Sequence, residues 1–136
     1  YKEQVKELEK HSIAHFYGFQ SDPRPFYIEA DCVVLPSYHE GMSNVLLEAA
    51  ATGRPVITSN IPGCRESVEN GKSGLLVEVK NKEMLYDAMK EMLHCSREER
   101  EQMGQAGREK MEKEFRKEVV VEKTVQSLRE DEKRDF

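Results

Sequence analysis

No apolar run in the 136-residue sequence approaches the roughly 20 residues that a membrane-spanning helix needs. No secretory signal pattern opens the chain either. A basic excess is also missing. The formal net charge is −5, which argues against a general nucleic-acid-binding surface and predicts no nucleic-acid partner. A local anion site stays open, because backbone amides bind phosphate without Lys or Arg. Cysteine is scarce: Cys32, Cys64 and Cys95 are odd in number, widely spaced and form no C-x-x-C pair. That pattern fits reduced thiols in a cytoplasm better than a disulfide framework or a zinc site. His11, His15, His39 and His94 do not change this, so no metal is expected. Internal repeats and low-complexity stretches are absent. The chain opens without Met, at Tyr1-Lys2-Glu3-Gln4, straight into helix-like sequence, as an excised domain would.

What is present is the composition of one soluble globular domain, 38% hydrophobic and 35% charged, long enough to bury a single core. Tyr1 to Lys10 reads as a short amphipathic helix with Val5 and Leu8 on one side. Ile13 to Tyr17 alternates weakly before Gly18 and suggests a strand ending at a loop. Phe26 to Ala30 makes one or two helical turns after a proline-containing loop. Cys32-Val33-Val34-Leu35, closed by Pro36, is a continuous apolar run of the kind buried on both faces in parallel sheets. A helix from about Ser43-Asn44 runs through Ala51 and stops at Gly53. Pro55-Val56-Ile57-Thr58 and Gly74-Leu75-Leu76-Val77 supply two more strands, with a brief helical turn at Glu66 to Glu69 between them. This alternation predicts βαβ units and an α/β, doubly wound parallel sheet of Rossmann type.

The remainder is helical. Asn81 to His94 carries a stripe of Met84, Leu85, Ala88, Met89 and Met92, read as core. Ser96-Arg97-Glu98-Glu99 matches a capping box that starts the next helix, interrupted in pattern at Gly104 and Gly107 and ending near Phe115. Val119 to Leu128 has its own apolar spacing, and 129–136 is a charged tail.

The chemistry concentrates in Ser37-Tyr38-His39-Glu40-Gly41-Met42-Ser43-Asn44-Val45-Leu46-Leu47-Glu48. Glu40 falls in a loop after a buried strand and before a helix. In open parallel sheets, that crevice beyond the carboxyl ends of the strands binds ligands. Gly41 lets the backbone approach a ligand closely. The free amides of Ser43 to Val45 and the helix dipole suit a diphosphate. Carboxylates only accept hydrogen bonds, so Glu40 and Glu48 suit sugar hydroxyls. Glu48 sits on the order of 7 Å along the helix from the first amides, within reach of a ribose attached to a phosphate bound there. Two glutamates eight residues apart are common in so acidic a chain, and alone they carry little weight. Their setting in strand, glycine loop and helix gives them more.

Ala30-Asp31-Cys32-Val33-Val34-Leu35-Pro36-Ser37, Glu40-Gly41, Leu47-Glu48-Ala49, Gly53-Arg54-Pro55-Val56-Ile57, Pro62-Gly63, Glu66 and Asn70-Gly71 through Gly74-Leu75-Leu76-Val77 resemble the C-terminal domain of family-4 retaining glycosyltransferases. The match runs from about Lys2 to Leu128 in the family's order and spacing. The resemblance implies the C-terminal half of a GT-B fold, with residues 1–128 as a partial nucleotide-sugar-binding domain. It implies that Glu40 contacts the donor sugar and is the catalytic residue, and that Glu48 holds the ribose. Backbone around Gly41, Met42, Ser43, Asn44 and Val45 would cradle the diphosphate, and Gly18, Phe19 and Gln20 would lie near the base. No cofactor is implied; the donor would be a UDP- or GDP-linked sugar. The acceptor would be a glycan or lipid-linked sugar, as in polysaccharide biosynthesis. The family's basic Arg/Lys pair and Gly-rich turn come before the residues present here, and the N-terminal domain supplies the acceptor site. The isolated chain is therefore expected to be inactive. The full-length protein would be cytoplasmic, with peripheral membrane association at the inner face.

Other residues read more plainly. Cys64 is expected to be structural, Glu66 to cap or pack at a helical start, and His39 to be solvated. A rival reading is a GT-B-like module that binds a nucleotide sugar or a partner protein and only regulates. A flavodoxin-like signalling domain would need a phospho-accepting Asp at a strand end, and Asp31 precedes its strand.

Overall fold

Three apolar runs form one parallel sheet in the order β1-β2-β3: β1 (Val33–Leu35), β2 (Val56–Ser59) and β3 (Gly74–Val77). The register pairs Val34 with Ile57 and Ile57 with Leu75. The structure is a computed structural model that describes residues 2–18, 20–36 and 44–114. Around the sheet are α1 (Lys2–Lys10), α2 (Arg24–Glu29), α3 (Asn44–Ala51) and α4 (Lys82–His94), and residues 97–114 are helical, α5. The expected boundary at 128/129, and the segment Val119 to Leu128, lie outside the described residues.

Successive strand residues point to opposite faces, and two cores result. One joins Tyr27, Leu46, Ala49, Val56, Cys64 and Val68, with Val33 and Leu35 against it. The other joins Ile57, Val77, Ala88 and Met92, with Cys32 and Val34 against it. Helix α3 contributes to the first and α4 to the second, so the sheet is covered on both faces as a doubly wound fold requires.

Local chemistry fixes the helix ends. Ser12, at φ 56°, closes α1: the Ile13 amide reaches back to Leu8 O and the Ser12 amide to Glu9 O, the paired bonds of a Schellman end. Asn81 Oδ1 accepts from the Met84 amide at 2.9 Å to cap α4. The capping box is reciprocal, with Glu99 N donating to Ser96 Oγ at 3.1 Å and Ser96 N to Glu99 Oε1 at 3.2 Å.

Four expectations are corrected. Residues 13–17 form no strand: the Schellman end throws the chain off α1, and no strand among the described residues supplies the ladder that would pair their backbone. Strand β1 is only half-buried, because β2 pairs with one edge and no described strand pairs with the other. Met92 is core, but Met89 is 48% exposed, beyond the rim of the cover that α4 provides. Gly104 does not interrupt α5; it lets the helix touch the Gly53 turn. A Cβ on Gly104 would stand 1.9 Å from Gly53 O.

Candidate functional site

Helix α3 opens at Asn44, with Asn44 and Val45 both exposed, and its buried face of Leu46, Ala49 and Ala50 locks it onto the sheet. Glu48 follows Asn44 by four residues, about 6 Å along the axis. Its residue is exposed, yet one carboxylate oxygen is engaged: the Tyr27 hydroxyl donates to Glu48 Oε2 at 3.2 Å. Tyr27 belongs to α2 and is buried in the core beside Leu46 and Ala49. Burial, the hydrogen bond to Glu48 and its negative charge, in that order, hold the phenol above its ordinary pKa, so it remains a donor at neutral pH.

Helix α2 is in turn fastened from β2's approach. Arg54 Nε donates to Tyr27 O at 3.0 Å and Arg54 Nη2 to Ile28 O, so the guanidinium caps the end of α2. Arg24, at the start of α2, has its pKa raised first by its hydrogen bond to Asp22 and to a smaller degree by the charge of Glu48. The order Gly53-Arg54-Pro55 thus joins a turn, a clamp and a strand start.

The carboxyl ends of all three strands meet a cleft of about 290 Å³ lined by Pro36, Ser59, Val77, Glu78, Lys80, Asn81, Lys82 and Leu85. This is the edge of an open parallel sheet at which ligands gather. Two lysines and a glutamate line it. Among the described residues, no three His, Cys, Asp or Glu side chains cluster as metal ligands. None of the helices among them is long and apolar enough to cross a membrane.

Glu40, Gly41, Met42, Ser43 and Phe19 lie outside the described residues. Asn44, Val45 and Glu48 share α3. Gly18 takes a left-handed φ of 66°, and the Gln20 amide is used locally, donating to Tyr17 O at 2.8 Å. That loop is tied to α2 by a tilted ring contact between Tyr17 and Phe26, centroids 4.7 Å apart. Tyr27 and Arg54 were not picked out from the sequence as site residues. The signal for Tyr27 is a tyrosine on a short helix just before a buried strand, where the ring is core and the hydroxyl must find a partner. Cys64 is fully buried, and Glu66 Oε2 accepts from the Gly63 amide at 2.7 Å, just ahead of the 3₁₀ turn Arg65–Ser67, whose N-cap Cys64 makes no side-chain cap.

Residues 1–110 match the family model for glycosyl transferases group 1. The chain is 33% identical over 102 residues to the capsular polysaccharide biosynthesis glycosyltransferase CapM of Staphylococcus aureus, covering 75% of this chain and 27% of that protein. It is 38% identical over 92 residues to a GDP-mannose-dependent alpha-(1-6)-phosphatidylinositol monomannoside mannosyltransferase of Mycobacterium tuberculosis, covering 68% of this chain and 24% of the relative. Among solved structures it superposes on the sucrose-phosphate synthase of Thermosynechococcus elongatus with a TM-score of 0.77 and 27% identity, over 95% of this chain and 33% of that one. The chain thus spans about a quarter to a third of the length of these proteins. Its sheet and helices are those of the GT-B glycosyltransferases. With the family model matched over most of its length, the chain belongs to the glycosyl transferases group 1 family.

Proposed function

We propose that this chain is the donor-binding wall of a retaining, family-4 glycosyltransferase that moves a sugar from a UDP- or GDP-linked donor to a glycan or lipid-linked acceptor. The observation that carries this reading is Glu48: an exposed carboxylate on α3, about one turn past the exposed opening of that helix, with one oxygen already held by Tyr27. A diphosphate on the opening amides of α3 leaves a ribose within reach of Glu48. Glu40, with Gly41, Met42 and Ser43, is assigned to the donor sugar and the diphosphate. Gly18, Phe19 and Gln20 are assigned to the base side. The GDP-mannose dependence of the mycobacterial relative and the capsular polysaccharide role of CapM support a nucleotide-linked donor and a glycan acceptor.

Mechanistically, the chain's own groups orient the donor and stabilise the departing diphosphate; no protein nucleophile is required. Transfer also needs an acceptor held against the donor in a closed cleft. A second domain, assigned to the rest of a longer protein, supplies that wall. The protein acts in the cytoplasm, peripherally at the inner membrane face.

Paired substitutions in the two-domain enzyme test this. Glu48→Gln weakens UDP or GDP binding by roughly 1.5–3 kcal/mol, the worth of a charged hydrogen bond. Glu40→Ala lowers turnover far more than it lowers nucleotide affinity, because it acts at the sugar. Calorimetry with UDP and GDP, beside transfer assays, reads both. Unchanged affinity in Glu48→Gln removes the ribose assignment, and equal losses of binding and transfer in Glu40→Ala remove the sugar assignment.

A further inference from the structure

We propose that Tyr27 is a positioning residue for the donor site: its hydroxyl holds the Glu48 carboxylate in the orientation that receives the ribose hydroxyls. This rests on the assignment of Glu48 to the ribose and adds to it a residue that touches no substrate.

An exposed glutamate on a helix surface samples many rotamers and must be ordered when it grips a ligand, and glutamate is among the side chains that lose most freedom in doing so. Here much of that ordering is done in advance. The ring of Tyr27 is only 6% exposed, so the hydroxyl emerges at a fixed point, 3.2 Å from Glu48 Oε2. Both ends of the bond stand on rigid supports. Glu48 rides on α3 between the buried Leu46 and Ala49, and the end of α2 is clamped by Arg54 through Tyr27 O and Ile28 O. The Ala30 amide also returns to Tyr27 O at 3.3 Å.

The arithmetic of acceptor sites permits a ligand. A carboxylate offers about four lone-pair positions. Tyr27 occupies one, which leaves enough for two ribose hydroxyls. A buried tyrosine that served packing alone would satisfy its hydroxyl on any nearby carbonyl. This one turns instead to an exposed, charged side chain, which gains direction from the bond. The Arg54-to-Tyr27-to-Glu48 chain links the G-R-P turn before β2 to the donor site.

Tyr27→Phe keeps the ring and removes only the donor, so folding is preserved and a thermal melt verifies it. Wild type, Tyr27→Phe, Glu48→Gln and the double variant of the two-domain enzyme are titrated with UDP, GDP and the corresponding 2′,3′-dideoxy diphosphates. The expected result is a loss of about three- to tenfold in affinity for the ribonucleotide in Tyr27→Phe. The dideoxy analogue shows no such loss, and Tyr27→Phe adds nothing in the Glu48→Gln background. If Glu48→Gln weakens binding while Tyr27→Phe leaves it unchanged, the positioning role is overturned and the ribose assignment stands. Equal losses for ribonucleotide and dideoxy analogue show a purely structural tie and also overturn it. Unchanged binding in Glu48→Gln, or no binding of either nucleotide by wild type, overturns the ribose assignment itself and the positioning role with it.

Discussion

Strands β1 and β2 lie side by side in one sheet, yet all four residues of β2 are buried and all three of β1 are only half-buried. The same contrast extends outward from each. Past β2, α3 and β3 close around Leu46, Val56 and Ile57, and α5 meets the Gly53 turn backbone to backbone. On the β1 side, Ile13, Phe16, Tyr17 and Ile28 are 53–71% exposed. There Tyr27 anchors α2 in the first core, and the segment before α2 is held by discrete ties such as the Tyr17–Phe26 ring contact, while the Arg54 clamp fastens the end of α2. The candidate site sits on the seam: Glu48 belongs to the closed region and Tyr27 reaches it from a helix in the open one. Such a seam allows one wall of a cleft to be rigid while its neighbour is held by a few bonds that substitution removes one at a time.

The largest effect of a glycine substitution should come from filling the closest approach in the closed region. Gly104→Ala places a Cβ 1.9 Å from Gly53 O, a backbone atom that moves only if the turn or α5 moves. We expect a loss of about 3 kcal/mol, at the upper end of overpacking costs. Gly18→Ala is the matched control from the open region. It meets nothing within 4 Å and carries only the strain of a φ of 66°, about 1 kcal/mol. Denaturant midpoints of the two variants measure the contrast directly. Comparable losses would show that the two regions are equally tight.

The pattern of what was legible follows the same divide. Strands β2 and β3, helices α3 and α4 and the capping box could all be read from sequence, because each has local chemistry that its tertiary setting reinforces. Ile13 to Tyr17 reads as a strand from its alternation, but alternation cannot supply a neighbouring strand, and none among the described residues pairs with it. Gly104 reads as an interruption because glycine lowers helix propensity; its value lies in a contact with Gly53, fifty residues away in the chain. Glu48 reads as a candidate from its place in a strand, loop and helix. The Tyr27 hydrogen bond across 21 residues and the Arg54 clamp across 27 leave no periodic trace in the sequence. Glu40 to Ser43 fall outside the described residues, and their assignment rests on motif.

A smaller effect tests the half-buried edge through its titration. Cys32 packs against the α4-side core, and burial pushes its thiol up to about 11, with Asp31 adding to the shift and an Ile57 backbone hydrogen bond and Arg100 opposing it. A thiol whose folded pKa is raised favours the native state while it stays protonated. That contribution is complete below the ordinary value near 9 and is lost as pH rises through about 11. Allowing for partial solvent access, we expect about 1–2 kcal/mol to disappear across this window. Stability measured from pH 8 to 11 in wild type and Cys32→Ala isolates the term, since Tyr27, whose pKa is also raised, is common to both. An equal pH slope in wild type and Cys32→Ala would assign the loss to other groups.

The smallest effect is the most pointed test of the open region. Phe16 is 53% exposed and lies in the segment that fails to pair as a strand. Fully buried, such a side chain would cost about 3–5 kcal/mol to truncate. Surface substitutions away from special features usually change stability by no more than about 0.5 kcal/mol. Phe16→Ser in the 136-residue chain should therefore fall within that smaller range, while Leu46→Ala, fully buried in the same protein, loses about 2–5 kcal/mol. The same pair in the longer, two-domain enzyme proposed above sharpens the result. If a further strand or domain closes over this side, the cost of Phe16→Ser rises there while that of Leu46→Ala stays constant. A cost above about 1 kcal/mol for Phe16→Ser in the 136-residue chain itself would mean that Phe16 is packed, and the contrast between the two sides of the sheet would not hold.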